Sequence, residues 1–111
     1  MDSSDYAYVY ILASSFKRFY VGITTRLQYR VNEHKEGAHP GSFTHRYKIN
    51  HLVYFERYAN ISEAIAREKQ LKKWSRIKKA NLIIQHNPTW KDLSLEWDKP
   101  IVYQWPDEPS K

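Results

Sequence analysis

The sequence predicts a mixed α/β domain, and two observations carry that prediction. Three short runs rich in aromatic and β-branched residues, Tyr6 to Ala13, Arg18 to Ile23 and His51 to Tyr58, have the composition of strands. Between and after them, three stretches place apolar residues at three- and four-residue intervals, as amphipathic helices require. A chain of 111 residues, 41% hydrophobic and 15% aromatic, is the size of one ordinary domain with a modest core.

After a short polar leader, the first two strands are joined by Ser14 to Lys17, short enough for an antiparallel hairpin. Such a hairpin brings Tyr10 and Tyr20 opposite each other to within a residue or two of register. On residue type alone, paired strand tyrosines are cross-strand packing groups. Gly22 ends the second strand, and Thr25-x-x-Gln28 has the form of a capping box opening a helix to about Lys35. Leu27 and Val31 give that helix its apolar side, with Arg30 and His34 bordering it. The ordinary reading pairs Arg30 with Glu33 or Glu36 and leaves His34 as decoration of the last turn.

Residues Glu36 to Asn50 show no periodicity and read as a loop. Phe43, His45, Arg46, Tyr47 and Lys48 interleave rings and cations there, as nucleic-acid contact surfaces do. His34, His39 and His45 lack cysteine or an acid at ligand spacing, so zinc is not expected.

Asn60 or Ser62 starts a helix over Ile61 to Trp74, with Ile61, Ala64, Ile65 and Leu71 as its stripe. Glu68 interrupts that stripe. It forms either a solvated pair with Lys72, four residues on, or a metal-binding carboxylate facing a cleft. Ser75 caps a further helix to about Gln85, with Ile77, Ala80 and Ile84 inward. Its first turn holds Arg76, Lys78 and Lys79, cations that oppose the helix dipole and fit a nearby phosphate. Beyond Asn87-Pro88-Thr89-Trp90, the residues Leu93, Leu95, Trp97, Val102 and Trp105 lie among prolines and acids. They predict an irregular strap, so that 1–93 forms the domain and 94–111 an extension packed on it.

The net charge is +6, and residues 64–79 hold seven Lys or Arg against the single Glu68. A polyanion is the expected partner, with nucleic acid ahead of an anionic membrane surface. No run of about 18 apolar residues and no signal-peptide pattern is present, so an intracellular, cytoplasmic protein without a membrane span is expected. Zero cysteines exclude disulfides and thiolate metal sites.

Tyr8-Val9-Tyr10, then Tyr20-Val21-Gly22, then Arg30 and His34 on the next helix, then Arg67-Glu68-Lys69 form an ordered pattern. It resembles the GIY-YIG nuclease superfamily, particularly its small stand-alone bacterial members related to the nuclease domain of the UvrC excision-repair protein. The resemblance spans about Tyr6 to Leu93 and includes Asn87-Pro88-x-Trp90. It implies a small, mainly antiparallel three-stranded sheet flanked by helices, and metal-dependent endonucleolytic hydrolysis of DNA in repair or processing.

By position, the resemblance makes Glu68 the ligand of one Mg²⁺ or Mn²⁺ ion. Tyr20 or Tyr10 becomes the group that orients or deprotonates the attacking water. Arg30 is the cation on the phosphate, His34 a helper, and Asn87 a polar residue near the site. DNA, or RNA, would lie against Arg26, Arg46, Lys48, Lys72, Lys73, Arg76, Lys78 and Lys79, with the protein a monomer or weak homodimer. Tyr8 replaces the name-giving glycine, which can crowd the strand start. No recognition module is appended, so structure-selective or weakly sequence-specific cutting is expected. The alternative is a non-catalytic DNA- or RNA-binding module on the same fold.

Overall fold

The computed structural model describes residues 6–37 and 41–97. In chain order these form β1 (Ala7–Ala13), β2 (Phe19–Thr24), α1 (Leu27–Glu36), α2 (Phe43–Arg46), β3 (His51–Tyr58), α3 (Ile61–Lys73), α4 (Arg76–His86) and a 3-10 turn (Leu93–Glu96). The sheet order is β2-β1-β3, with β1 antiparallel to both neighbours. β1 is thus the central strand, and its near-continuous apolar run matches residues buried on both of its faces.

Alternation along the strands builds two cores. Val9, Ile11, Val21 and Tyr54 face one way and pack with Ala64 and Leu71 of α3 and Ile83 of α4. Tyr10, Leu12 and Leu52 face the other way and pack with Leu27 and Val31 of α1 and with Ile49. A bulge between Ile11 and Leu12 in the β1–β3 pairing gives β3 an extra residue, so Val53 and Tyr54 both join the α3 side.

The hairpin forms as the sequence predicts. Opposite Tyr10 stands Gly22, and opposite Tyr20 stands Leu12. The two tyrosines are therefore diagonal neighbours on one face, with ring centroids 6.2 Å apart. Tyr8 causes no crowding: pairing runs through it on both sides, to Thr24 and Arg57, and its ring meets Phe55 edge-on at 6.2 Å.

Several helix details differ from expectation. The Thr25–Gln28 capping box does not form; α1 starts after Arg26, whose N–H donates to Thr24 Oγ1 at 3.0 Å. α1 ends at Gly37, in the left-handed region at φ 68°. Within the expected loop, Ser42 Oγ accepts the His45 N–H at 3.3 Å and caps the single turn of α2, too short to show periodicity.

Asn60 caps α3 and Ser75 caps α4, but both helices are rotated from the predicted faces. Ile77 is 73% exposed and Ile84 45%, while Ile83 is fully buried. Adjacent residues differ by about 100° around a helix, so an isoleucine pair offers two stripes and spacing cannot choose between them. In α3 Ala64 and Leu71 are buried, whereas Ile61 and Ile65 are exposed. The inner line is therefore Ala64, Glu68, Leu71.

Past α4, Trp90 stacks on Phe19 with centroids 5.9 Å apart and planes at 11°. Leu93 and Trp97 pack half-buried against the α1-side core, while Leu95 is exposed. Val102 and Trp105 lie outside the described residues. Asp92 fastens this segment: its buried carboxylate accepts from the Leu52 N–H at 3.2 Å, from the Ser94 hydroxyl at 2.6 Å and from Lys35 Nζ. Burial works to raise its pKa, but the bonds from Lys35 and Ser94 prevail and hold it below the usual carboxylate range.

A depressed folded-state pKa adds stability above the unfolded value, about 3.9, which is lost as pH falls through the folded value. Asp92→Asn should therefore cost about 2 kcal/mol at pH 7. Its deficit against the unaltered protein should shrink below about pH 4. Urea melts at pH 7 and pH 3 check both statements.

Candidate active site

The α1 face of the sheet gathers four of the sequence-predicted residues. β1 supplies Tyr10, β2 supplies Tyr20, and α1 supplies Arg30 and His34, one turn apart on the same side of the helix. His34 lies at their centre. Its Nε2 is 3.2 Å from the Tyr10 hydroxyl, its Nδ1 is 2.9 Å from Thr44 Oγ1, and its ring centroid is 5.3 Å from that of Tyr20. A neutral imidazole donates from one nitrogen and accepts at the other, so Tyr10, His34 and Thr44 form a relay.

Gly22 makes room for this group. A Cβ there would fall 2.5 Å from both Cζ and Oη of Tyr10, so the phenol crosses β2 where only glycine fits. Tyr10 is 1% exposed. Burial, and then the neighbouring Tyr20, push its phenol well above the ordinary tyrosine pKa, and the nearby Arg30 only partly offsets this. Tyr10 stays protonated at neutral pH. Tyr20, beside it on the edge strand, is half-buried.

Arg30 forms the expected surface pair with Glu33, Nη1 to Oε1 at 2.9 Å, and that bond raises its pKa. The guanidinium is partly exposed, and it also hydrogen-bonds Tyr10, which ties α1 to the buried phenol.

Glu68 enters from α3, which packs on the opposite face from Tyr10. Its side chain is only 14% exposed, and Oε2 pairs with Lys72 Nζ at 2.7 Å. The helix pair with Lys72 thus forms, with the carboxylate on the inward line between Ala64 and Leu71.

Asn87 is buried and committed to a turn. Its Nδ2 donates to the carbonyls of Val53 at 3.0 Å and Lys91 at 2.9 Å, and its Oδ1 accepts the Lys91 N–H. These bonds hold the segment after α4 against β3, which is a structural task.

The predicted nucleic-acid contacts fall in two groups. Arg26, its guanidinium over Tyr29, lies with exposed Arg46 and Lys48 on the elements of the α1 side. Lys72, Lys73, Arg76, Lys78 and Lys79 ring the junction of α3 and α4, with Lys78 Nζ 4.4 Å over the Trp74 ring and Lys79 half-buried.

Sequence reasoning missed a second network. Glu56 accepts from Arg67 Nε at 2.9 Å and Nη2 at 2.9 Å, from the Tyr58 hydroxyl at 2.6 Å and from the Tyr54 hydroxyl. Burial opposes its ionisation, but these bonds hold it below the usual carboxylate range. Burial, and then the bond to Glu56, push the Tyr54 phenol up. The network ties β3 to α3 one residue before Glu68. Tyr54-x-Glu56-x-Tyr58 on one strand face was the available signal, since period-two spacing sets both phenols beside the acid.

Gly22→Ala should lower stability by about 1–3 kcal/mol, as an overpacked core does, and should loosen the Tyr10–His34 contact. Thermal melts and the His34 ring resonances in NMR read the two effects separately.

Known proteins agree with this architecture. Residues 6–81 match the family model described as the GIY-YIG catalytic domain. A UPF0213 protein from Syntrophus aciditrophicus (strain SB) is 38% identical over 79 residues, covering 71% of this chain and 91% of the relative. Another, from Haloquadratum walsbyi, is 38% identical over 79 residues, covering 71% and 88%. The solution NMR structure of the UPF0213 protein BH0048 from Bacillus halodurans is similar with a TM-score of 0.52 at 27% identity, covering 79% of this chain and 93% of that one. With its three-stranded antiparallel sheet, its tyrosine pair and a family match over most of its length, the chain belongs to the GIY-YIG catalytic-domain family.

Proposed function

We propose that this protein is a metal-dependent endonuclease that hydrolyses DNA phosphodiester bonds in repair or processing, with structure-selective or weakly sequence-specific cutting. The observation that carries the reading is the convergence of Tyr20, Arg30 and His34 around buried Tyr10, at an edge strand of a nuclease-family fold.

The donor set fits a magnesium-type ion. Glu68 offers one carboxylate, and no group of three or more His, Asp or Glu side chains able to hold a metal occurs among the described residues. That is unsuited to zinc but suits Mg²⁺ or Mn²⁺, which keep most of their waters and take one or two carboxylates. When bound, such an ion supplies Lewis-acid stabilisation and a more acidic water. Lys72 must then release Glu68, and it becomes available to phosphate.

The protein's own groups divide the remaining work. Tyr20, half-buried beside the cluster, orients the attacking water and, in its phenolate form, accepts the water's proton and ends as the phenol. Tyr10, held as a phenol, fixes His34 and limits the position of the Tyr20 ring, so it acts by positioning. Arg30 turns from Glu33 to the phosphate, where its planar fork matches two oxygens. In the non-catalytic alternative Glu68 serves only its helix pair with Lys72, and an acid amid cations repels phosphate.

Three variants test this reading. Glu68→Ala should lose at least about 10³-fold in metal-dependent cleavage while binding duplex DNA in chelator as tightly as before. Retained cutting removes Glu68 from the metal site, and absence of cutting by every form favours the binding module. Tyr20→Phe should lose about 10²- to 10⁴-fold in kcat, the usual range for a general acid or base, with an unchanged melting temperature. Tyr10→Phe should lower stability as well as activity, because its hydroxyl partners His34 inside the core.

A further inference from the structure

The hairpin that carries Tyr20 ends in an exposed aromatic ring. Phe16 is 84% exposed, the highest value among the large hydrophobic side chains of the described residues. A lone surface hydrophobe is ordinary. Three features set this one apart.

The loop is fixed from several directions. Ser14 Oγ accepts the N–H groups of Phe16 at 3.2 Å and Arg18 at 3.1 Å, and the Ser14 carbonyl accepts the Lys17 N–H at 2.9 Å. From α4, Arg76 Nη2 donates to the Phe16 carbonyl at 3.1 Å. Lys17 takes φ 64°, the left-handed position usually given to glycine after such a turn. A tip held in this way is ordered before a partner arrives, which reduces the entropy lost on binding.

The flanking cations are also held. Lys17 Nζ lies 4.8 Å over the Trp90 ring, and the Arg18 guanidinium 4.1 Å over Tyr47. Lys17 and Arg18 follow the tip in the chain and Arg76 bonds its carbonyl, so three cations neighbour the aromatic tip, which suits a polyanion that also offers a flat ring.

The distance to the candidate site is short. Tyr20 is four positions after Phe16, so their Cα atoms are at most about 13 Å apart at about 3.3 Å per residue. Successive nucleotides of one DNA strand rise about 3.4 Å, so the tip lies within about four nucleotides of a phosphate at Tyr20.

We infer that Phe16 is a stacking post for an unpaired nucleobase, and that it selects DNA with a bulged or displaced base near the cut over fully paired duplex. In an intact duplex each base face is covered by its neighbours, and only an unpaired base presents one to the ring. The placement relative to the cut rests on the nuclease reading. The stacking itself does not, and binding without cleavage tests it.

Fluorescence anisotropy in chelator, at fixed salt, would compare a paired duplex with one of equal charge bearing a two-nucleotide bulge. The unaltered protein should bind the bulged DNA about tenfold more tightly, within the range for one base stacked on an aromatic side chain. Phe16→Ala should remove that advantage, the paired duplex changing by less than about twofold. Phe16→Trp should keep it, and Phe16→Leu, apolar but without a π-face, should not. 5-Iodouracil at the bulge should photo-cross-link to Phe16. Equal affinity of the unaltered protein for both DNAs, or an undiminished preference in Phe16→Ala, overturns the proposal. Cleavage by the unaltered protein in Mg²⁺ or Mn²⁺, measured separately, reports on the nuclease reading alone.

Discussion

A strand buried on both faces can carry a polar group only if that group finds a partner, and Tyr10 is where β1 meets this constraint. Its ring fills the α1-side core while its hydroxyl reaches His34, so one side chain both packs the domain and orients the candidate site. Gly22 follows from that choice, because any Cβ would occupy the space of the phenol. The second strand must therefore pair with a glycine opposite Tyr10, and the next same-face position, Tyr20, then becomes the more accessible tyrosine of the two.

This arrangement gives different surroundings to two tyrosines that the sequence leaves alike. From residue order alone, Tyr10 and Tyr20 are equivalent candidates for activating water. Burial distinguishes them, since a phenol pushed upward in pKa is a donor and a spacer, whereas a half-buried ring on an edge strand can meet a substrate. The sheet itself sets the remaining geometry: Tyr10 and α1 lie on one side, α3 with Glu68 packs on the other, and β2 is the strand at the border.

Much of the fold was legible because strands and caps carry local signals. The three strand runs, the hairpin and the Ser75 cap each depend on residues close in sequence. The rotation of α3 and α4 was not legible, since Ile61, Ile65, Ile77 and Ile84 supply a second apolar stripe and tertiary packing alone chose Ala64, Leu71 and Ile83. α2 was missed because one helical turn has no period, and the Thr25 cap did not form because α1 begins one residue later, after Arg26. In the site, helical spacing placed Arg30 and His34 on one side of α1. The His34 partner Thr44 and the Arg67 partner Glu56 lie ten or more residues away, where spacing says nothing.

The two faces of the sheet hold their helices by different means. On one side, a half-buried carboxylate with an arginine fork and two phenols ties α3 to β3. On the other, α1 sits on Leu27 and Val31 and is pinned near its end by Lys35 to Asp92. His34 adds bonds to Tyr10 and Thr44, so α1 is fastened by several separate contacts, whereas α3 is fastened to β3 through one shared carboxylate.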